Sequence, residues 1–298
     1  MTDVRTWLLI ALGGFGIYYV VILIGSLRKK EKQERSLGWM ETGIGFITNF
    51  FDTLGIGSFA TTTAMYRFRK LVSDEMIPGT LNVGHTLPTL AQAFIYISIV
   101  EVDMKTLVFL IASSVLGMWL GAGVVARWPR RNIQLGMGIA LLAAAGLMLM
   151  TALKASTTGG EAMALEGMKL WIGVIGNFVL GALMSMGIGL YGPCLIMISL
   201  LGMNPKAAFP IMMGSCAFLM PVGSKQFIQK QRYNARAVIG LMLGGIPAVL
   251  IAAYIVREMN LQYVRWLVVI VVVYTALMLL RSAKQEKKVS LSSEKVVV

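Results

Sequence analysis

Asp52 and His85 are the titratable residues set deepest in apolar sequence. Asp52 lies in NFFDTLGIGSFATTT (Asn49–Thr63), and His85, the single histidine, falls nine residues into a later apolar stretch. A charge at the centre of a bilayer costs at least about 2.5–3.5 kcal/mol, so such residues are paired, protonated or in contact with water. The pattern points to ion or proton handling. At 1.5 Å per residue His85 would sit about 13 Å deep, within reach of Asp52 as a relay or counter-ion. Two structural roles fit the same residues: an aspartate that locks a chain reversal through backbone N–H groups, and a histidine hydrogen-bonded between helices.

Glycine pairs and neutral polar groups surround these two. Gly55 and Gly57 break the segment after Asp52, and Gly187 and Gly189 break a later one in GIGLYGP, where Pro193 suits the first turn of a returning helix. Glycine lets a chain reverse at positive φ and lets its backbone approach a ligand. A half-helix starting at each break would aim free N–H groups and partial positive charge at a common point, which is an anion site. The candidate substrate-binding residues are Asn49, Thr53, Gly55, Gly57, Ser58, Asn82, Gly187, Gly189, Tyr191, Gly192, Cys194 and Ser215. Asp52 and His85 are candidates for proton coupling, and Lys225 with Gln226 for a gate. Thr86 adds a hydroxyl at similar depth.

These residues need a membrane scaffold. Of 298 residues 57% are hydrophobic and 14% charged, against about 25% charged in soluble domains. TWLLIALGGFGIYYVVILIGSL (Thr6–Leu27) is long enough for a hydrocarbon core of about 30 Å. It has no small-residue cleavage site, and positive charges follow it, so it reads as a retained span. The net charge of +13 reflects basic cytoplasmic loops and not a nucleic-acid partner. Cys194 and Cys216 lack metal-ligand spacing. Nothing calls for a cofactor or metal, and no catalytic constellation argues for an enzyme.

A shift of 132 residues aligns the chain with itself: LGIGSF (Leu54–Phe59) falls on MGIGLY (Met186–Tyr191), and Pro78 on Pro210. Each half reads as a broken segment followed by three spans: 39–68, 76–100, 105–127 and 132–153, then 169–203, 206–228, 236–257 and 261–281. If both broken segments turn back, 20 of the 27 Lys and Arg residues fall on the cytoplasmic side; if both cross, the best split is 17 to 10. Re-entrant hairpins therefore fit the positive-inside rule better. A hairpin plus three spans inverts the second half, an architecture recurrent in secondary transporters. The expected fold is an all-α polytopic membrane protein with two inverted repeats, each a re-entrant helical hairpin plus three transmembrane helices, after one extra N-terminal span. Its parts are an N-terminal span and basic loop (1–38), a first repeat (39–153), an external linker (154–168), a second repeat (169–281) and a disordered basic cytoplasmic tail (282–298), with the N-terminus outside.

The glycine break followed by proline, then a span opening with NPKAAFP, duplicated across the halves, resembles the sulfite exporter TauE/SafE family of permeases. GIGLYGPCLIMISLLGMNPKAAFPIMMGSCAFL (Gly187–Leu219) carries the resemblance most strongly, which extends over about 39–281. It implies a bacterial inner-membrane transporter for a small sulfur oxyanion or organosulfur anion such as sulfite, sulfoacetate or another sulfonate. The expected partners are that anion, protons and membrane lipid. The first half departs from the family's glycine triplet and following proline, having GIGSFATTT after Asp52. An anion channel of the same fold and a small-carboxylate transporter are the alternatives. GMWLG (Gly117–Gly121) permits a homodimer.

Overall fold

The computed structural model describes residues 2–31, 36–73, 75–125, 160–184, 189–258 and 261–296, with scattered positions between 131 and 149. The span expected at 132–153 and Gly187 lie largely or wholly outside these. The described chain is helical and forms no strand, apart from an isolated bridge between Ala162 and Met203. Helix α1 is Thr2–Leu27. The first broken segment is α2 (Trp39–Thr53) and α3 (Ser58–Arg69), followed by α4 (Ile77–Ile99) and α5 (Met104–Val125). The second broken segment is α6 (Gly167–Met184) and α7 (Tyr191–Leu200), followed by a 3-10 turn at Pro205–Ala207 and then α8 (Ala208–Gln229), α9 (Ala235–Glu258) and α10 (Leu261–Val296).

Among the described residues four helical stretches are long and apolar enough to cross a membrane: Val4–Leu27, Gly167–Met184, Pro205–Gln229 and Ala235–Ile255. The last three include α6, α8 and α9. Of the α8 window 94% is buried, against 17% in α1, so α8 is the central helix and α1 a peripheral one. The tail expected to be disordered is instead the continuation of α10, which runs unbroken to Val296. Its Lys, Glu, Gln and Ala residues are strong helix formers, and no glycine or proline interrupts them.

Glycines set the closest helix contacts. On α9, a Cβ at Gly240 would meet Glu41 and Thr42 of α2, and one at Gly244 would collide with the Thr42 carbonyl. Gly45 of α2 in turn lies against the Leu241 backbone. On the other side of the molecule, Gly117 of α5 lies against the Phe178 carbonyl of α6, and Gly181 of α6 against that of Ser114. Small residues let helix backbones approach closely where lipid offers no hydrophobic drive. The 132-residue shift carries α2 onto α6 and α5 onto α9. It therefore exchanges the α2–α9 and α5–α6 pairs, while α4 packs on its own counterpart α8. Each half of the chain thus packs on the first helix of the other half's broken segment.

Gly43→Ala and Gly244→Ala should act in opposite directions. A Cβ at Gly43 meets nothing within 4 Å, so alanine gains about 0.5–1 kcal/mol of helix propensity. At Gly244 the backbone obstructs it, and separating α2 from α9 should cost about 1–3 kcal/mol. Thermal unfolding in detergent measures both; a stable Gly244→Ala variant would remove the seam from the account.

Candidate functional site

The first break is made by two glycines. Gly55 has φ 96° and Gly57 φ 87°, as expected of a reversal at positive φ. Asp52 ends in the turn: its backbone carbonyl accepts the Gly55 N–H at 2.8 Å. At the second break Gly189 does not adopt positive φ, and the next residue, Leu190, caps α7 in the right-handed region (φ −81°, ψ −29°). Pro193 falls in the first turn of α7, where its missing N–H is not needed.

Four elements meet around Asp52. Gln92 of α4 donates from Nε2 to Asp52 Oδ2 at 3.0 Å and to Thr53 Oγ1 at 2.9 Å. Its amide oxygen accepts from Tyr191 Oη at 2.7 Å. One glutamine thus joins the end of α2 to the first residue of α7, which lies 99 positions beyond Gln92 in the sequence. Tyr96 of α4 donates to the Thr53 carbonyl at 3.4 Å, and Thr53 Oγ1 to the Asn49 carbonyl at 2.7 Å. The Asp52 carboxyl also faces the Ser58 hydroxyl and backbone N–H at the start of α3, the place of an anion at a helix N-terminus.

His85 sits beside Asn49 and not against Asp52. Asn49 Nδ2 donates to the Gly45 carbonyl at 2.7 Å, which leaves Oδ1 facing His85 Nδ1 at 3.0 Å. In the neutral ring Nδ1 therefore carries the hydrogen, and Nε2 accepts from Thr62 Oγ1 at 3.1 Å. The Phe59 ring covers the imidazole at 5.9 Å between centroids. Asn49, Thr53, His85 and Gln92 have no exposed surface, so this polar cluster is sealed.

The other expected residues divide by half. Asn82 donates to the Pro78 carbonyl at 2.9 Å and leaves Oδ1 without a partner. Thr86 contacts Ser224 of α8 at 3.2 Å. Ser215 bonds Asn177 of α6 at 2.9 Å, away from the Asp52 cluster. Gly192 lies against Thr275 of α10, and Cys194 is buried one turn into α7. Lys225 and Gln226 are exposed and stand outside the cluster, so the expected gate is not part of it. Gly57 and Gly189, counterparts under the 132-residue shift, share another property: a Cβ on either would meet nothing within 4 Å among the described residues.

Gln92, Thr62, Tyr96 and Asn177 were not among the expected residues. Gln92 had a readable signal, since His85, Thr89 and Gln92 follow i, i+4, i+7 spacing on one face of an otherwise apolar helix.

A family model described as Sulfite exporter TauE/SafE matches residues 1–149 and 169–297. The chain belongs to the sulfite exporter TauE/SafE family, a family of membrane transporters. No curated protein and no solved structure matches the chain.

Gln92→Leu should destabilise the fold by about 1–3 kcal/mol, because it takes one donor from the buried Asp52 carboxyl and the acceptor from the buried Tyr191 hydroxyl. Tyr191→Phe removes a single neutral bond and should cost about 0.5–1.5 kcal/mol. Reversible SDS unfolding in micelles would rank the two, and a Gln92→Leu variant as stable as the wild type would refute the bridge.

Proposed function

We propose that this chain is a secondary transporter that carries a small organosulfur or sulfur oxyanion, such as sulfite, sulfoacetate or another sulfonate, by alternating access. The observation that carries the reading is the Tyr191–Gln92–Asp52 chain, which ties the two glycine-broken tips together. Space beside Gly57 and Gly189 adds support, since no described residue fills it at these repeat-related positions. Each broken segment is read as a re-entrant hairpin, the halves as inverted repeats, the N-terminus as outside and the tail as cytoplasmic. The exchange of the α2–α9 and α5–α6 pairs by one shift supports that symmetry. The basic residues after α1, at the end of α3 and in the tail support the orientation.

In this reading the anionic head enters between the tips and takes hydrogen bonds from the N–H groups at Ser58 and at the start of α7, from the Ser58 hydroxyl and from Tyr191. Asp52 faces the same Ser58 groups. An anion arriving there meets a competing carboxyl, and a proton on Asp52 removes the like-charge repulsion. Proton and anion would then travel together. Rupture of the Gln92 bonds frees the tips, and each half tilts about the α4–α8 contact. The burial of the whole cluster supports a carrier over a continuously open channel. No catalytic step is assigned to the chain.

Flux in proteoliposomes tests the reading with sulfite, sulfoacetate, taurine and a plain dicarboxylate, with and without a pH gradient. A sulfur oxyanion should move saturably, and Asp52→Asn should abolish the pH-gradient dependence while leaving exchange. Gly189→Leu fills the open space without backbone obstruction and should lower flux by about tenfold or more through misplacement of the anion. Movement of the dicarboxylate alone, or unsaturable flux, would assign the protein to another substrate class or to a channel.

A further inference from the structure

The inner face of the first broken segment carries a file of polar groups, of which the transport reading uses only the two at the tip. On α3, Ser58, Thr62 and Tyr66 follow one another at i+4, and all three are buried. At about 100° per residue they spread over only about 80° of arc, so they lie on one face. On α2, Glu41 and Asp52 are both buried. Their spacing returns them to within about 20° of one direction and sets them about 16 Å apart along the helix. Asp52 faces Ser58, and Glu41 lies within electrostatic range of Tyr66. The hydroxyls of α3 therefore run from one carboxyl of α2 to the other.

The two ends of the file differ. Glu41 pairs with Arg236 Nε of α9 at 3.3 Å, and Arg236 is half exposed, so this end borders on solution. Arg67, Arg69 and Lys70, exposed just beyond Tyr66, belong to the end read as cytoplasmic. At the middle Thr62 donates to His85 Nε2 of α4 at 3.1 Å. The Tyr66 hydroxyl has no hydrogen-bond partner among the described residues, although the residue is fully buried. An unpaired buried hydroxyl costs about 1–3 kcal/mol, so packing alone gives no reason for tyrosine over phenylalanine there. The second broken segment is built without such a file. The 132-residue shift puts Leu190, Cys194 and Ile198 at the places of the three hydroxyls, and Gly173 and Met184 at those of the two carboxyls. The remaining titratable neighbours are Tyr191 of α7 and Cys216 of α8, both within electrostatic range of Asp52.

We propose that this file is the path by which protons reach Asp52 from the side of Glu41 and Arg236. It rests on the transport reading, in which Asp52 carries the proton, and adds the route. Hydroxyls one turn apart have Cβ atoms about 5–6 Å apart, a gap that one water molecule bridges. Glu41 takes a proton from solution. Each hydroxyl then accepts a hydrogen from the water on one side and passes its own to the water beyond, Thr62 turning from His85 to do so. One proton thereby arrives on the Asp52 carboxylate, Glu41 is a carboxylate again, and every hydroxyl keeps one hydrogen. Infrared difference spectroscopy of the full chain in lipid nanodiscs tests this without any substrate, so its failure is separate from that of the flux assay. After a light-triggered pH drop the C=O band of protonated Asp52, assigned by its loss in Asp52→Asn, should appear. Tyr66→Phe, Glu41→Gln and Thr62→Val should each slow that appearance by about tenfold or more and leave the final height unchanged. Thr62→Ser should keep the wild-type rate. A purely structural Tyr66 predicts no effect, since its hydroxyl bonds to no described residue. A wild-type rate in Tyr66→Phe or Glu41→Gln, equal slowing by Thr62→Ser and Thr62→Val, or no Asp52 band at all would overturn the proposal.

Discussion

A carboxyl group buried in a helical membrane protein must find hydrogen-bond donors, and at Asp52 one side-chain donor comes from α4. Gln92 supplies it, and the same amide accepts from Tyr191. Three residues from α2, α4 and α7 are thereby fixed by a group that, while Asp52 is ionised, satisfies both neighbours in this one orientation. Reversing the amide would set oxygen against oxygen at Asp52, unless that carboxyl held a proton, and would leave the Tyr191 hydroxyl to act only as an acceptor. The register of both broken segments against α4 follows from this chain of bonds.

The chain of bonds depends in turn on close backbone packing. Gly240 and Gly244 let α9 lie directly on α2, which holds Asn49 and Asp52 towards α4. Gly117 and Gly181 do the same for α5 and α6, behind the second tip. The scaffold is therefore similar in the two halves, while the chemistry is not. The first half contributes Asn49, Asp52, His85 and Gln92; around α7 and α8 the second contributes mainly thiols, thioethers and small hydroxyls, with Cys216 Sγ 3.6 Å from Met184 Sδ. One tip is built to manage charge and the other to pack against it.

Much of this arrangement is legible before folding. Glycines in an overlong apolar segment locate the first break, which the structure puts at Leu54–Gly57, and lone polar residues in apolar sequence mark Asn49, Asp52 and His85. The partner of Asp52 is less accessible. His85 is the obvious candidate by charge, yet the structure gives it to Asn49 and Thr62, because helix rotation and not charge decides which residues face each other. The Tyr191–Gln92 bond connects opposite halves and has no local signature. The tail reads as disordered in sequence, whereas its Lys, Glu, Gln and Ala residues favour helix and the structure carries α10 on to Val296.

The bond from Gln92 to both tips is open to a direct measurement with the native thiols. Cys194 lies one turn into α7 from Tyr191 and is fully buried. Its modification by a small methanethiosulfonate reagent, located by mass spectrometry, reports opening of the second tip. Gln92→Ala should accelerate labelling at Cys194, and sulfoacetate should accelerate it in the wild type. A labelling rate unchanged by the substitution and by the anion would mean that Gln92 does not hold the tips closed.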